Sequence, residues 1–381
     1  MSHAPTAALS ARHNTIRQAL AAQDLDVLVV TSLPNVLYLT NFTGSAAIAL
    51  LTGDRLIFVT DFRYVTTIAD AMDTPHRCPD LELAKVEGAY DTTLAGLLGS
   101  MAGTRVGFEA AHLTVSRLNY LSKTLEASAG NPPQLVATEG IVEASRAVKD
   151  AFEIATLRDA ARRLSAVARE LPTEIRRGRT EREIARSIEQ RLHDAGFTKP
   201  AFDTIVASGP NAALPHSKPG ERRLSEGDLV VLDFGGVYDS YCVDLTRTVA
   251  VGTAGQRARE VYQAVLEAHD QAVAHVAPGR SRFAIDAAAR DTLTRYGLAE
   301  AFGHGTGHGL GIEVHEDPRI TRPRAGEEQT DASAVASGMV FTIEPGAYLP
   351  GWGGVRIEDD VLVTEGGVEV LTDVTTALIE T

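Results

Sequence analysis

The sequence predicts an α/β domain over residues 1–133, a linker at 134–148, and an α+β domain over 149–381 that carries an internal pseudo-two-fold repeat. Strand and helix signals alternate through the first region, the pattern of a sheet covered by helices. Asn131-Pro132-Pro133 then breaks that pattern, because proline excludes the residue before it from helix and cannot donate to a sheet. Beyond the break, two helices followed by strand-like sequence occur twice in succession. Two such halves can close one curved sheet around a central pocket, with the helices packed outside.

In chain order, Asp26–Thr31 and Ala46–Thr52 are apolar runs bounded by Pro or Gly, Arg55–Thr60 alternates as a strand, and Tyr90–Leu98 has the spacing of an amphipathic helix. Asp150–Arg169 is helical by spacing. Thr180–Ala195 opens with the capping box Thr180/Glu183 and closes at Gly196, a left-handed stop. Strand-like sequence fills Phe202–Val251. Helical spacing returns over Arg257–Ala277, ending at Pro278-Gly279, and over Ser281–Tyr296, ending at Gly297, before strands resume.

Across 381 residues, 36 basic and 50 acidic side chains leave a formal charge of −14, with 44% hydrophobic and 23% charged residues. Those fractions belong to a folded chain with a sizeable core. The acidic surplus repels phosphate backbones and no run of Lys and Arg forms a basic patch, so no nucleic acid is expected as a partner. The longest aliphatic run, Ala46–Leu51, falls far short of the roughly twenty residues that span a bilayer. Residues 1–14 lack the apolar block of a secretory signal, so a cytoplasmic protein with no membrane partner is expected. Cys78 and Cys242 offer neither a disulfide framework nor a CxxC pair, which leaves His, Asp and Glu to hold any metal.

Acids end apolar strands. Leu229-Val230-Val231-Leu232-Asp233-Phe234 reads as a buried strand, and Tyr241–Val251 as its return. A turn centred near Tyr238-Asp239 would set Asp233 opposite Asp244, about 5 Å apart. Facing carboxylates repel, and among Val231, Leu232 and Phe234 the cost is severe unless a proton or cation intervenes. The second half repeats the device: Met339–Ile343 leads into Glu344, Pro345–Gly354 is a turn-rich loop, and Val355-Arg356-Ile357-Glu358 returns with an acid.

Between the hairpins, Gly303–Gly311 has glycine at every second place. Extended, it bares one face for close approach of another backbone and puts His304, Thr306, His308 and Leu310 on the other, so His308 can point at the acids. His315 has the opposite parity and needs a bend to reach the same pocket, and His216 lies in a turn after Phe202–Ala207. His304, His315 and His216 read equally well as hydrogen-bonded loop histidines. The glycine run neither opens a helix as GxGxxG nor carries the Lys of a phosphate loop. Four carboxylates with an imidazole make a hard, oxygen-rich set that suits two divalent ions, Mn²⁺ or Co²⁺ better than a tetrahedral Zn²⁺. Such a pair lowers the pKa of water, so hydrolysis is the implied chemistry.

These residues resemble the pita-bread metallopeptidase family, which contains methionine aminopeptidase, prolidase and aminopeptidase P. The match covers about 145–381 and rests on Leu232-Asp233-Phe234-Gly235, Asp244-Leu245-Thr246-Arg247, Gly307-His308-Gly309-Leu310-Gly311 through Val314-His315-Glu316, Thr342-Ile343-Glu344-Pro345-Gly346 and Val355-Arg356-Ile357-Glu358-Asp359. The resemblance implies that Asp233, Asp244, His308, Glu344 and Glu358 bind two divalent ions, with Mn²⁺ first and Co²⁺ or Zn²⁺ as alternatives, and with Asp244 and Glu358 bridging. It assigns His216 and His315 to the substrate carbonyl and oxyanion, and Glu344 to proton transfer. His304, Tyr348 and Arg356 join the substrate-binding set.

The first domain resembles the creatinase-type domain that precedes the proline-specific branch. That branch implies a homodimer, with Asp61-Phe62-Arg63-Tyr64 as a candidate contact, and a peptide substrate with proline second. An Xaa-Pro dipeptidase is the expected activity; an Xaa-Pro aminopeptidase acting on longer peptides is the alternative, followed by a broader aminopeptidase or a non-catalytic peptide binder. Creatinase shares the architecture without metal, and lacks the ligand set complete here.

Overall fold

The computed structural model describes residues 3–127, 130–327, 330 and 333–381, and the chain divides into two units, 1–146 and 147–381. In the first unit, strands β1 (Val27–Val30), β2 (Ile48–Thr52), β3 (Leu56–Thr60), β4 (Leu81–Lys85), β5 (Arg105–Glu109) and β6 (Gln134–Thr138) form one sheet in the order β4-β3-β2-β1-β5-β6. Helices α1 (Thr6–Ala22), α2 (Leu33–Thr40), α3 (Val65–Met72), α4 (Tyr90–Gly99), α5 (Val115–Glu126) and α6 (Ile141–Ala147) complete it. Apolar faces of the central strands, Val29, Leu50, Ile57 and Val106 among them, pack on Leu94, Leu98, Leu121 and Leu125.

The expected linker at 134–148 is not one. Gln134–Thr138 pairs in parallel with β5, and α6 follows. Asn131-Pro132-Pro133 lies just before an edge strand, where a missing N–H costs no ladder bond.

The second unit repeats one plan. Helices α7 (Ala151–Glu170) and α8 (Glu181–Asp194) precede β7 (Lys199–Pro200), β8 (Ile205–Ser208), β9 (Leu229–Tyr238) and β10 (Tyr241–Ala250). Helices α9 (Gln256–Ala274) and α10 (Arg282–Arg295) precede β11 (Gly307–Gly309), β12 (Glu316–Ile320), β13 (Val340–Ile343), β14 (Gly346–Leu349), β15 (Gly353–Arg356), β16 (Asp359–Thr364), β17 (Gly367–Val370) and β18 (Ile379–Glu380). Thr180 caps α8 as expected: its hydroxyl accepts from the Glu183 N–H while the Glu183 carboxylate accepts from the Thr180 N–H. Gly196 and Gly297 both follow helices with positive φ, 94° and 72°.

Two sheets result, β18-β10-β9-β7 with β8 also on β9, and β12-β11-β13-β16-β17, alongside the ribbon β14-β15. Leu157, Leu164, Ile184 and Ile188 of α7 and α8 pack on Leu232, Phe234 and Leu245; Val261, Val265, Ile285 and Leu293 of α9 and α10 pack on Phe341, Ile343 and Val361. Phe234 and Phe341 are fully buried, each a contribution of about 1.5–3 kcal/mol. An isolated bridge, Thr246 to Glu358, joins the repeats. No helix of the described residues is long and apolar enough to cross a membrane.

Two details of the hairpins differ from expectation. The first turn is Asp239-Ser240, not Tyr238-Asp239: both residues have positive φ, 46° and 72°, as a two-residue primed turn requires. Asp244 therefore pairs with Gly235, and Asp233 with Thr246. A slip of two keeps the same face, so Asp233 and Asp244 remain diagonal neighbours at roughly 7–8 Å instead of directly opposed. In the second hairpin, the supposed loop Pro345–Gly354 is mostly strand. Ile343 pairs with Asp359 and Gly346 with Arg356, so a single hairpin continues past a break at Glu344-Pro345 and Ile357-Glu358.

Candidate metal centre

The break in the second hairpin frees Glu344 and Glu358 from the ladder just where β10 comes alongside. The Glu358 N–H donates to the Thr246 carbonyl (3.1 Å), and the Thr246 hydroxyl donates to Glu358 Oε2 (2.6 Å). Asp244 lies two residues before Thr246 on the same face. Asp244, His308 and Glu358 each offer a ligand atom, and these atoms lie within 4.8 Å of one another. Glu344 Oε1 is 3.6 Å from His308 Nε2. Asp233 is tied by Oδ2 to Arg356, while its Oδ1 and that of Asp244 are buried without a hydrogen-bond partner among the described residues.

His308 is held by close strand approach. A Cβ on Gly307 would lie 1.8 Å from the Thr342 carbonyl oxygen, so only glycine admits β13 this near. The His308 N–H donates to Thr342 Oγ1 (3.2 Å), and Nδ1 contacts the Gly309 carbonyl (3.1 Å), which places the ring proton on Nδ1 and leaves Nε2 a lone pair. Burial, then His315, lowers its pKa to about 3. Residues 311–315 bend as the parity of His315 demands, and its ring meets that of His308 edge-on at 4.4 Å.

His304 Nε2 accepts from the Tyr348 hydroxyl (2.8 Å), which itself accepts from Arg356 Nη1 (2.8 Å); His304 Nδ1 meets the Gly305 carbonyl (2.7 Å). Burial, then the charge of Arg356, keeps His304 neutral, lowering its pKa to about 4 against the opposing pull of the Gly305 carbonyl. A cavity of about 470 Å³ gathers His216, His304, His308, His315, Arg356 and the four acids on its lining. Tyr348 is not on that lining itself; its hydroxyl contacts His304 and Arg356, which are.

The acids repel one another. Burial first, then Asp233, Asp360 and Glu344, raises Asp244 well above the usual carboxylate range; burial, then Asp244, Glu344 and Asp233, does the same to Glu358. Burial lifts Glu344 to about 7. Buried oxygens without donors and mutually repelling acids beside an imidazole lone pair form a donor set that fits divalent cations and disfavours an apolar ligand.

The same groups set the pH response of chelated protein. Raised carboxyl pKa values mean that the folded state keeps protons the unfolded state has released, so stability falls as pH rises. His304 and His308 act oppositely, but only below their ordinary value of 6.5. With chelator, the unfolding midpoint is expected to fall as pH rises through about 7, where Glu344 loses its proton, and to keep falling as the more strongly raised Asp244 and Glu358 lose theirs; Mn²⁺ is expected to abolish that fall. A flat or rising midpoint in chelator would refute the electrostatic account.

Sequence reasoning missed three contributors. Thr246 follows Asp244 by two residues on its strand, a period-two signal that was present. Arg247 donates to the Glu358 carbonyl (2.6 Å) and to Asp359 (2.7 Å), and Arg319, paired with His308 across β11 and β12, lines the cavity. Neither has a local sequence signal, because both depend on long-range pairing.

Comparison with known proteins fits this geometry. The model of metallopeptidase family M24 matches residues 155–365, and that of the creatinase/prolidase N-terminal domain matches 12–148. Uncharacterized peptidase YqhT of Bacillus subtilis (strain 168) is 36% identical, over 94% of this chain and 96% of its own. The solved Xaa-Pro dipeptidase from Bacillus anthracis superposes with a TM-score of 0.89 at 35% identity, covering 98% of this chain and 100% of that one. The X-Pro aminopeptidase from Thermotoga maritima gives 0.82 at 32%, covering 94% and 98%. With the pita-bread architecture, the paired acid hairpins and the family match all falling on the same residues, the chain belongs to metallopeptidase family M24 and is a metal-dependent hydrolase.

Proposed function

We propose that this chain is a dinuclear Xaa-Pro dipeptidase. The observation that carries the reading is the convergence of Asp244, His308 and Glu358 within 4.8 Å, with Glu344 beside them. Asp233, Asp244, His308, Glu344 and Glu358 would hold two divalent ions, Mn²⁺ in preference to Co²⁺ or Zn²⁺. Ions bound there supply a Lewis acid for the scissile carbonyl and make water acidic enough to attack at neutral pH.

The chain's own groups do the rest. Phe202, Ile205, Pro215 and Pro219 give the cavity an apolar wall for an aliphatic first residue and the pyrrolidine ring. A wall shaped to that ring accepts the proline amide, which has no N–H to satisfy. His216 and His315 donate to the carbonyl oxygen as it gains charge. Glu344, 3.6 Å from His308 Nε2 and on the cavity lining, would take the proton of the attacking water and return it to the leaving nitrogen. His315→Ala is expected to keep metal but lose about 2.7–4 kcal/mol of transition-state stabilisation in kcat. A loss of no more than twofold would make His315 structural.

Arg319 sets the substrate length. Its guanidinium makes no hydrogen bond or ion pair among the described residues, and it lines the cavity beside His308. A free cation there suits the carboxylate that a dipeptide carries on its proline and a tripeptide does not. Arg319→Ala is expected to raise KM for Ala-Pro by roughly 10–100-fold, the value of a charged hydrogen bond, and to leave Ala-Pro-Ala unchanged. Rates on Ala-Pro, Ala-Pro-Ala and Met-Ala-Ser, with and without Mn²⁺, test the whole reading. Preference for Ala-Pro-Ala would favour the aminopeptidase, and turnover of none of them a binding protein. Phe62, 75% exposed, supports the Asp61–Tyr64 segment as a homodimer contact of the cytoplasmic enzyme.

A further inference from the structure

His216 lies on the segment 209–219, and among the described residues its imidazole makes no hydrogen bond. Its place in the cavity therefore depends on its backbone. Both ends of that segment converge on one side chain outside the cavity, Glu181, the first residue of α8 and fully buried. Before the segment, the Ser208 N–H (2.8 Å) and hydroxyl (2.7 Å) donate to Glu181 Oε1. Within it, Asn211 Nδ2 donates to both carboxylate oxygens (3.0 and 3.2 Å). After it, the Gly220 N–H donates to Oε2 (3.0 Å).

Two further supports complete the seat. A Cβ on Gly354 would lie 2.1 Å from the Ala212 carbonyl oxygen, so the turn Gly209–Ala213 rests directly on β15. Arg356 Nη1 reaches the Pro215 carbonyl (3.4 Å), next to His216. Those supports locate the middle of the segment. Arg222 Nη1 also donates to the Ser208 hydroxyl (2.6 Å) before the segment, and the Arg182 N–H to the Gly220 carbonyl (3.1 Å) after it, but the Glu181 carboxylate is the acceptor that meets donors from both ends and from the segment between them.

We propose that Glu181 is a positioning residue for catalysis, whose carboxylate clamps the two ends of the 209–219 segment and so presents His216 to the substrate carbonyl. The assignment rests on the role given to His216 above. Glutamine is nearly isosteric but would bring an NH₂ group into a ring of donors, leaving at least one of Ser208, Asn211 and Gly220 without an acceptor. Misplacement of this kind, away from the chemistry, costs up to about a hundredfold in rate.

The test is a double-mutant cycle on kcat/KM for Ala-Pro with Mn²⁺-loaded protein, using wild type, E181Q, H216A and E181Q/H216A, with metal content measured on each. E181Q is expected to lose roughly tenfold to a hundredfold with wild-type metal content, yet less than twofold when His216 is already alanine. Equal fold-losses in both backgrounds, or full activity of E181Q, would overturn the proposal. H216A with wild-type turnover would instead overturn the role of His216. If H216A falls below detection, the ring ¹H–¹³C signal of His216, assigned by its loss in H216A, decides: E181Q should move it and leave the His304 and His308 signals in place. An unmoved His216 signal counts against the clamp. Should E181Q not fold, Asn211→Ala, which removes only the donor within the segment, is read in the same cycle against the same limits.

Discussion

Replacing Asp244 with asparagine is expected to abolish metal binding and turnover while making the chelated protein more stable above neutral pH. Asp244 is buried on β10, and Asp233, Asp360 and Glu344 all disfavour its charge. Without cations, that charge is a liability which folding resists by holding the proton. Asparagine keeps the shape, cannot ionise, and has an amide that can donate to a neighbouring carboxylate. The variant's midpoint in chelator should therefore exceed that of wild type from about pH 7 upward and converge with it in acid, where Asp244 is protonated anyway. With Mn²⁺ the order reverses, because wild type gains binding energy that the variant has lost. Loss of an outer partner of a metal ligand costs roughly 10–100-fold, so loss of a ligand should exceed that. Metal analysis, thermal melts across pH and Ala-Pro hydrolysis read the three effects. Wild-type metal content with full turnover would remove Asp244 from the ligand set.

The acid cluster was legible because each of its members repeats one physical contradiction. Asp233 and Glu344 each end an apolar strand, and Asp244 and Glu358 each stand on the return, so a local rule was broken twice in the same way. Register was not legible. Tyr238-Asp239-Ser240 has no Asn-Gly or Asp-Gly to mark its turn, and the turn settles one residue later than composition suggests, which shifts the pairing by two. The face survived because the slip is even. The parallel strand Gln134–Thr138 was lost for another reason: a Pro-Pro step reads as a linker until a partner strand is known to lie beside it. Arg247, Arg319 and Glu181 share a third obscurity. Each is an ordinary residue of its own element, and acquires its role only through partners brought near by the fold, such as Ser208 and Gly220, 27 and 39 residues from Glu181.

Arg356→Met should produce the largest loss of stability of any single change at the site, and a second substitution should return most of it without returning activity. Arg356 is 3% exposed and joins four segments: Asp233 on β9, Thr246 on β10, Tyr348 on β14 and the Pro215 carbonyl. Removing it strands Asp233 among acids with no cation, and breaking a buried pair from one side costs about 3–5 kcal/mol. At about 2–4 °C per kcal/mol for a unit of this size, the midpoint in chelator should fall by roughly 6–20 °C. Lysine offers one point charge in place of a planar fork and should recover only part of that. Adding Asp233→Asn to Arg356→Met removes the stranded charge, and stability should rise again because the cost lay in the missing partner more than in the pair's net worth. Turnover should not recover: Asp233 is then lost as a ligand, and Tyr348 no longer receives the Arg356 proton that fixes its hydroxyl toward His304. A midpoint within about 2 °C of wild type for Arg356→Met would mean that water compensates Asp233 at no cost. Failure of the double variant to regain stability would locate the loss in packing around Tyr348 and Thr246 instead of in the unpaired charge.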